Sequence, residues 1–228
     1  HGALSAAVER YGAEVVHGEV VGARMAGTTI TSLTLADGRE VTADVIVNAA
    51  GPDAGRIAGL AGVSLALART PGLLLVTAPV PARLERVAYG PGLHLRPDGG
   101  GRVMIQWEPL DGHAVEGLPL ASGDPLVREG MEWASAIMPA LANVDIEAVR
   151  LGVRAVPGDG YPIVGFDPLI GNLYHVVTHS GITLAARLAL LVTEELAGGD
   201  LEPLEAYRPS RMAAAAAARN PLPPAADQ

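Results

Sequence analysis

The stretch VVTHSGITLAARLALLVTEEL, residues 176–196, decides how the chain folds. An apolar run from Tyr174 to Val177 meets a polar knot of Thr178, His179, Ser180 and Gly181, and a long amphipathic run follows without a break. The first part predicts a strand and the last a helix from about Ile182 to Ala197, joined by a small glycine turn. A strand feeding a helix in this way is the local unit of an α/β sheet. The start of such a helix carries N–H groups without intrahelical partners and a partial positive charge, so it can hold negative charge on a ligand. Ser180 can equally be a helix cap and His179 a satisfied buried histidine. Physics alone leaves those alternatives open.

Composition narrows what the sheet can serve. The chain has 228 residues, 49% of them hydrophobic and 18% charged, which allows a sizeable core and argues against disorder. A net charge of -9 without any basic cluster argues against a nucleic-acid surface. All 16 basic residues are arginine, which with the abundant Ala and Gly reads as a compositional bias. There is no cysteine, so disulfides, thiolate metal sites and cysteine nucleophiles are excluded together. No apolar run reaches the roughly 18 residues of a membrane span and no signal peptide opens the chain, so a cytoplasmic location is expected. The opening HGALSAAVERYGAEVV enters a helix directly and lacks an initiator Met, as if the chain began inside a domain.

Upstream, Ala3, Leu4, Ala7 and Val8 share one helical face, with Gly12 as the stop. AEVVHGEVVGARM (13–25) predicts a strand, a turn and a second strand, and Asp37-Gly38 marks a hairpin. Val45 to Asn48 reads as a short strand buried on both faces, and GPDAGRIAGLAGV (51–63) as a short helix. Residues 66–107 turn to β character, in GLLLVTA, GLHLRP and RVMIQW, and Asp124-Pro125 opens a helix carrying Leu126, Met131, Trp133 and Ile137. Strands and tight turns return over 148–177. One domain is therefore expected to comprise 1–65 and 151–212. A second, antiparallel with a helix, spans 66–150, and the tail 213–228, with its six consecutive alanines, is expected to be disordered.

Three places carry candidate chemistry. In IVNAAGPDAGRIAG (46–59), small side chains at the end of a strand let a ligand approach the backbone, although an ordinary glycine-rich turn explains the pattern as well. The start of the 182–197 helix is the second. The third is RLGVRAVPGDGYPIVG (150–165), where Arg154 lies among apolar neighbours while Arg150 is expected to be exposed. A guanidinium there needs a partner, either a protein carboxylate or the carboxylate of a substrate held by two bonds. His94 and Arg96 share a strand face, and Gln106 and Trp107 end the next strand. Any of these can line a pocket, with core or hairpin packing as the plainer alternative. His17, His113 and His175 show no metal-ligand spacing, and no serine-nucleophile elbow, phosphate-binding loop or spaced carboxylate pair is evident.

Taken in order, GAEVVHGEVVGA (12–23), ADVIVNAAGPDAG (43–55), GLHLRPDGGGRVMI (92–105), RAVPGDGYPIVG (154–165) and NLYHVVTHSGITLAARLALLVTEEL (172–196) resemble the second half of a family. That family is the D-amino-acid oxidase-like (DAO) FAD-dependent amine oxidoreductases, which include glycine, sarcosine and dimethylglycine oxidases and dehydrogenases. The resemblance runs from residue 1 to about Met212. It implies an α/β (α+β) fold: a partial FAD-binding three-layer domain lacking its N-terminal GxGxxG unit, plus an antiparallel-sheet substrate domain. It implies FAD as cofactor and oxidation of the C–N bond of a small amino acid or N-methylated amine by hydride transfer. Ser180, Gly181, Ile182, Thr183 and Leu184 match positions against the pyrimidine side of the flavin, where a positive helix end favours reduction. Val20 matches a contact to the adenine end, and Ala49, Ala50 and Gly51 the turn near the nucleotide. Arg154 matches an arginine that clamps the substrate carboxylate, and His94 and Gln106 are expected to line the pocket.

The departures from the family carry expectations too. A complementary N-terminal FAD-binding segment or chain is expected to supply the pyrophosphate site, without which this chain is expected to be inactive. The alternative is a non-catalytic or truncated binding module that has lost its dinucleotide-binding half. Thr183 stands where some sarcosine oxidases have a lysine that promotes reaction with oxygen. That leans towards a dehydrogenase, or an oxidase that manages without it.

Overall fold

The computed structural model describes residues 2–118, 120–199 and 201–212, and the tail expected to be disordered, 213–228, lies outside them. In chain order the first elements are α1 (Gly2–Arg10), β1 (Val20–Ala26), β2 (Thr29–Leu35), β3 (Glu40–Val41), β4 (Ile46–Asn48), α2 (Ala54–Leu60), β5 (Leu67–Thr77) and β6 (Ala88–Gly90). After these come β7 (Leu93–Pro97), β8 (Val103–Trp107), α3 (Glu108–Asp111), α4 (Pro125–Ile137), β9 (Ile146–Pro157), β10 (Ile163–Phe166), β11 (Leu173–Val177) and α5 (Gly181–Leu196). Two compact units emerge, His1–Leu67 with Pro157–Gln228, and Ala68–Val156. The fold is mixed α/β with antiparallel sheets.

In the first unit, β1, β2 and β3 form an antiparallel sheet. Its β2–β3 turn is set by Gly38 at φ 87° and by Asp37, whose Oδ1 accepts from the Arg39 N–H at 3.1 Å. A second sheet runs β10-β11-β4, with β11 antiparallel to β10 and parallel to β4. Successive side chains of β11 point to opposite faces. Tyr174 accordingly packs with Val164 against Leu188, Leu191 and Val192 of α5. Leu173 packs with Ile46 against Ala58 of α2, so helices cover both faces.

Two strand expectations fail here. Residues 13–19 form no strand; Val15 and Val16 are exposed, and among the described residues β1 has only β2 beside it. On β4, Ile46 and Asn48 are buried but Val47 is 44% exposed, because β4 is an edge strand among the described residues and only one of its faces is covered.

The second unit is a five-stranded sheet ordered β6-β7-β8-β5-β9. Its inward face carries Leu73, Leu75, Leu93, Leu95, Val103, Ile105 and Trp107, packed against Val127 and Ala134 of α4. Each such buried side chain contributes on the order of 1.5–3 kcal/mol of transfer free energy. α4 starts as the sequence predicts: Asp124 accepts from the Leu126 N–H at 2.8 Å, with Pro125 at the first helical position. Its buried face, however, is Val127, Gly130 and Ala134, while Trp133 and Ile137 are exposed. Gly130 permits the close packing, since a Cβ there would sit 3.0 Å from the Trp107 ring. β9 is the outer strand beside β5, and it carries this unit to Val156, six residues past the boundary expected at 150. Arg154 therefore belongs to the second unit.

Candidate functional site

In the first unit, the chain leaves β11 and turns into α5 through Thr178, whose Oγ1 accepts from the Ser180 N–H at 3.2 Å. Ser180 is the N-cap residue, yet its side chain takes no backbone N–H; its Oγ lies 3.2 Å from Nδ1 of His179. His179 is exposed, so neither the capping serine nor the buried histidine is realised. The first helical bond runs from the Leu184 N–H to the Ser180 carbonyl at 3.0 Å, leaving the N–H groups of Gly181, Ile182 and Thr183 ahead of it. Those three residues are exposed, Ile182 to 85%, and nothing lies within 4 Å of where a Gly181 Cβ would be. Leu184 turns inward against the α5 core. An uncapped, open helix start of this kind suits an electron-rich ligand edge.

The turn after β4 rests on a buried polar chain. Asn48 donates from Nδ2 to the Ala54 carbonyl at 2.9 Å and to Nδ1 of His175 at 3.4 Å. His175 Nε2 meets Asp167 Oδ2 at 3.1 Å. Asp167 Oδ1 accepts from the Leu169 and Ile170 N–H groups at 2.8 and 3.0 Å. With Nδ1 accepting, the ring proton lies on Nε2 and the histidine is neutral. Burial is the main cause that holds its pKa below 6.5, against the raising pull of Asp167. This chain ties the end of β4 to β11, so Ala49, Ala50 and Gly51 form a firmly held turn, with both alanines exposed and Gly51 at φ 57°. Val20 is half-buried, and its carbonyl accepts from Arg56 Nη1 at 2.8 Å.

In the second unit, Arg154 has a protein partner. Its Nη2 donates to Asp111 Oδ2 at 3.0 Å and to the Pro71 carbonyl at 3.5 Å. Asp111 also accepts from the Leu73 N–H at 3.0 Å and from Gln106 Nε2 at 3.2 Å. The protein carboxylate that pairs with Arg154 is Asp111. The guanidinium is nonetheless incompletely used, because its buried Nε has no acceptor among the described residues. Gly72, Leu73, Leu74, Gln106, Asp111, Gly152, Val153 and Arg154 line a recess of about 190 Å³. Gln106 thus lines the recess with Arg154. His94 stands opposite Gln106 in the β7–β8 register but packs edge-on against Tyr89, ring centres 4.4 Å apart, and does not line it. Asp111 and Gly72 carry no sequence signal; a lone aspartate before a glycine reads as loop chemistry. Arg150 is exposed, as expected. Among the described residues no cluster of three His, Asp or Glu side chains could hold a metal ion, and no helix is long and apolar enough to cross a membrane.

The family profile described as FAD dependent oxidoreductase (DAO) matches residues 2–195, most of the chain. The chain belongs to the DAO family of FAD-dependent oxidoreductases. An opine oxidase subunit from Agrobacterium tumefaciens (strain Ach5) is 32% identical over 200 residues, covering 88% of this chain and 52% of that protein. Iminodiacetate oxidase from Chelativorans sp. BNC1 shares the fold with a TM-score of 0.77 at 23% identity, over 91% of this chain and 57% of that one. L-proline dehydrogenase from P. horikoshii does so with a TM-score of 0.78 at 21% identity, over 93% and 59%. The chain therefore spans about half the length of the curated relatives it matches. In a DAO family member, the open start of α5 and the exposed turn at Ala49–Gly51 suit the edges of an FAD molecule. Both present backbone groups with little side-chain cover.

Proposed function

We propose that this chain is the substrate-holding and flavin-edge part of an FAD-dependent oxidoreductase that oxidises the C–N bond of a small amino acid or N-methylated amine. The observation that carries the proposal is Arg154, a half-buried arginine that lines a small recess with Leu73, Leu74 and Val153. A substrate carboxylate gains a charge-assisted bond there, and holding it fixes the neighbouring carbon. Gln106 supports the recess through Asp111. FAD, when bound, would supply the acceptor for the hydride, and the start of α5 would offer it the free N–H groups of Gly181, Ile182 and Thr183 and a partial positive charge. Ala49, Ala50, Gly51 and Val20 would face the nucleotide end of the cofactor. The imine left on the substrate hydrolyses in water. The name of the Agrobacterium relative, an opine oxidase, adds opines to the substrate class.

A complementary N-terminal segment or second polypeptide completes the cofactor site in this proposal. Support comes from apolar side chains along one stripe of α5, Ile182 and Leu190, and from Val47 of β4, all exposed in the first unit. The test is the intact mass of every polypeptide in the purified protein together with its visible spectrum. Flavin absorbance with the complementary segment, in one chain or two, is the expected result. A colourless protein that takes up no added FAD overturns the proposal.

A further inference from the structure

Asp111 is more than a counter-ion for Arg154. A carboxylate offers about four acceptor positions. Three are taken: one on Oδ1 by the Leu73 N–H, two on Oδ2 by Gln106 and Arg154. About one remains, on Oδ1, beside a guanidinium whose buried Nε donor is also unused. The backbone keeps this edge uncovered. A Cβ on Gly72 would sit 2.9 Å from Asp111 Oδ1 and 3.3 Å from Arg154 Nη2, so any side chain at 72 would fill the space over both groups. The pair therefore offers one spare acceptor position beside a guanidinium, with its net charge close to zero, on a recess lined by both residues.

We propose that Asp111 is the specificity-determining residue that sets the charge preference of the recess. Its free Oδ1 position takes an N–H of the ligand's ammonium while Arg154 takes the carboxylate. By neutralising Arg154 it also disfavours carboxylates that carry no positive nitrogen. This rests on the carboxylate-holding role of Arg154 proposed above. Asp111 is well placed for it, because its anchor is the backbone of β5 rather than a flexible side chain.

The test is calorimetric titration of the complete FAD-containing protein with two isosteric acids. α-Aminoisobutyrate is a zwitterion with no α-hydrogen to lose; pivalate replaces its ammonium by a methyl group. One charge-assisted hydrogen bond is worth a preference of about tenfold or more, so the wild-type protein should bind α-aminoisobutyrate at least that much more tightly. Asp111→Asn should abolish the preference, weakening the zwitterion and tightening pivalate. Equal binding of the two acids by the wild type, or a preference unchanged in the Asn variant, overturns the proposal. Should that variant fail to fold, the wild-type ratio decides alone. Failure of the underlying role of Arg154 is separately visible: Arg154→Ala would then leave both affinities unchanged, and a protein that binds neither acid overturns both.

Discussion

The start of α5 and the recess beside Arg154 are both polar features on largely apolar scaffolds, yet they treat their polar groups in opposite ways. At α5 the capping position is filled by a serine that does not cap, and the first N–H groups of the helix are left exposed. At the recess the charge is largely answered from within, by a carboxylate tied to a strand backbone and an amide. An unanswered helix end binds whatever supplies electron density, and its strength is that of the partial dipole. A nearly answered arginine binds weakly but with discrimination, because only a ligand matching both the guanidinium and the spare acceptor of its partner gains the full set of bonds. The first arrangement suits a resident cofactor, the second a substrate that must come and go.

The largest effect should come from removing the charge at the recess. Arg154→Ala removes the guanidinium proposed to hold the substrate carboxylate, and truncating one partner of such a charge pair costs about 2–5 kcal/mol of binding. Arg154 is 37% exposed, so the low end applies. The expected outcome is a rise in KM for a carboxylate substrate of about 30- to 100-fold. Arg154→Lys should recover only part of it, since an ammonium cannot form the same fork. Steady-state kinetics on the complete protein checks this, and an unchanged KM removes Arg154 from the site.

A smaller and sharper test addresses the helix start. Thr183→Asp places a carboxylate in the first turn of α5, where it should stabilise the helix by ~0.3–1 kcal/mol. The same charge should repel an electron-rich flavin edge, weakening FAD binding by about tenfold. Thermal melting without FAD and titration with FAD should therefore move in opposite directions. If both improve, the open end of α5 is an ordinary uncapped helix start and no cofactor lies against it.

Local rules made the elements legible. The run from Tyr174 to Leu196, the Asp37-Gly38 hairpin and the Asp124-Pro125 start were all readable, because periodicity and capping act over a few residues. What escaped the sequence was set at long range. Arg154 and Asp111 are 43 residues apart, and nothing in the sequence around Asp111 distinguishes it from a solvated aspartate. The exposure of Val47 follows from the edge position of β4, which pattern alone does not fix. His179 and Ser180 stand out in the sequence as a polar pair before a helix, but whether they cap or stay open depends on rotamers. His175 showed no metal-ligand spacing, and its partners Asp167 and Asn48 come from other segments of the chain.

That histidine gives the smallest prediction, and it serves as the closed counterpart of both sites. His175 is fully buried between Asp167 and Asn48, and burial holds its pKa below 6.5 in the folded chain. A lowered histidine pKa means that the unfolded chain takes up the proton first, so stability is full above the ordinary value and is lost as the pH falls below it. From about pH 7.5 down to about pH 5.5, the loss should be at most ~1.4 kcal/mol. Asp159 does not interfere in that window. Burial raises its pKa, but the side-chain bond from Arg211, the Tyr161 N–H and the charge of Arg211 outweigh it, so its contribution falls away only below the ordinary carboxylate value of 3.8. Denaturant unfolding of the wild type and His175→Gln at the two pH values should show the loss in the first and its absence in the second. Equal pH dependence would mean that the proton is taken up elsewhere, and that the turn at Ala49–Gly51 does not rest on a neutral histidine.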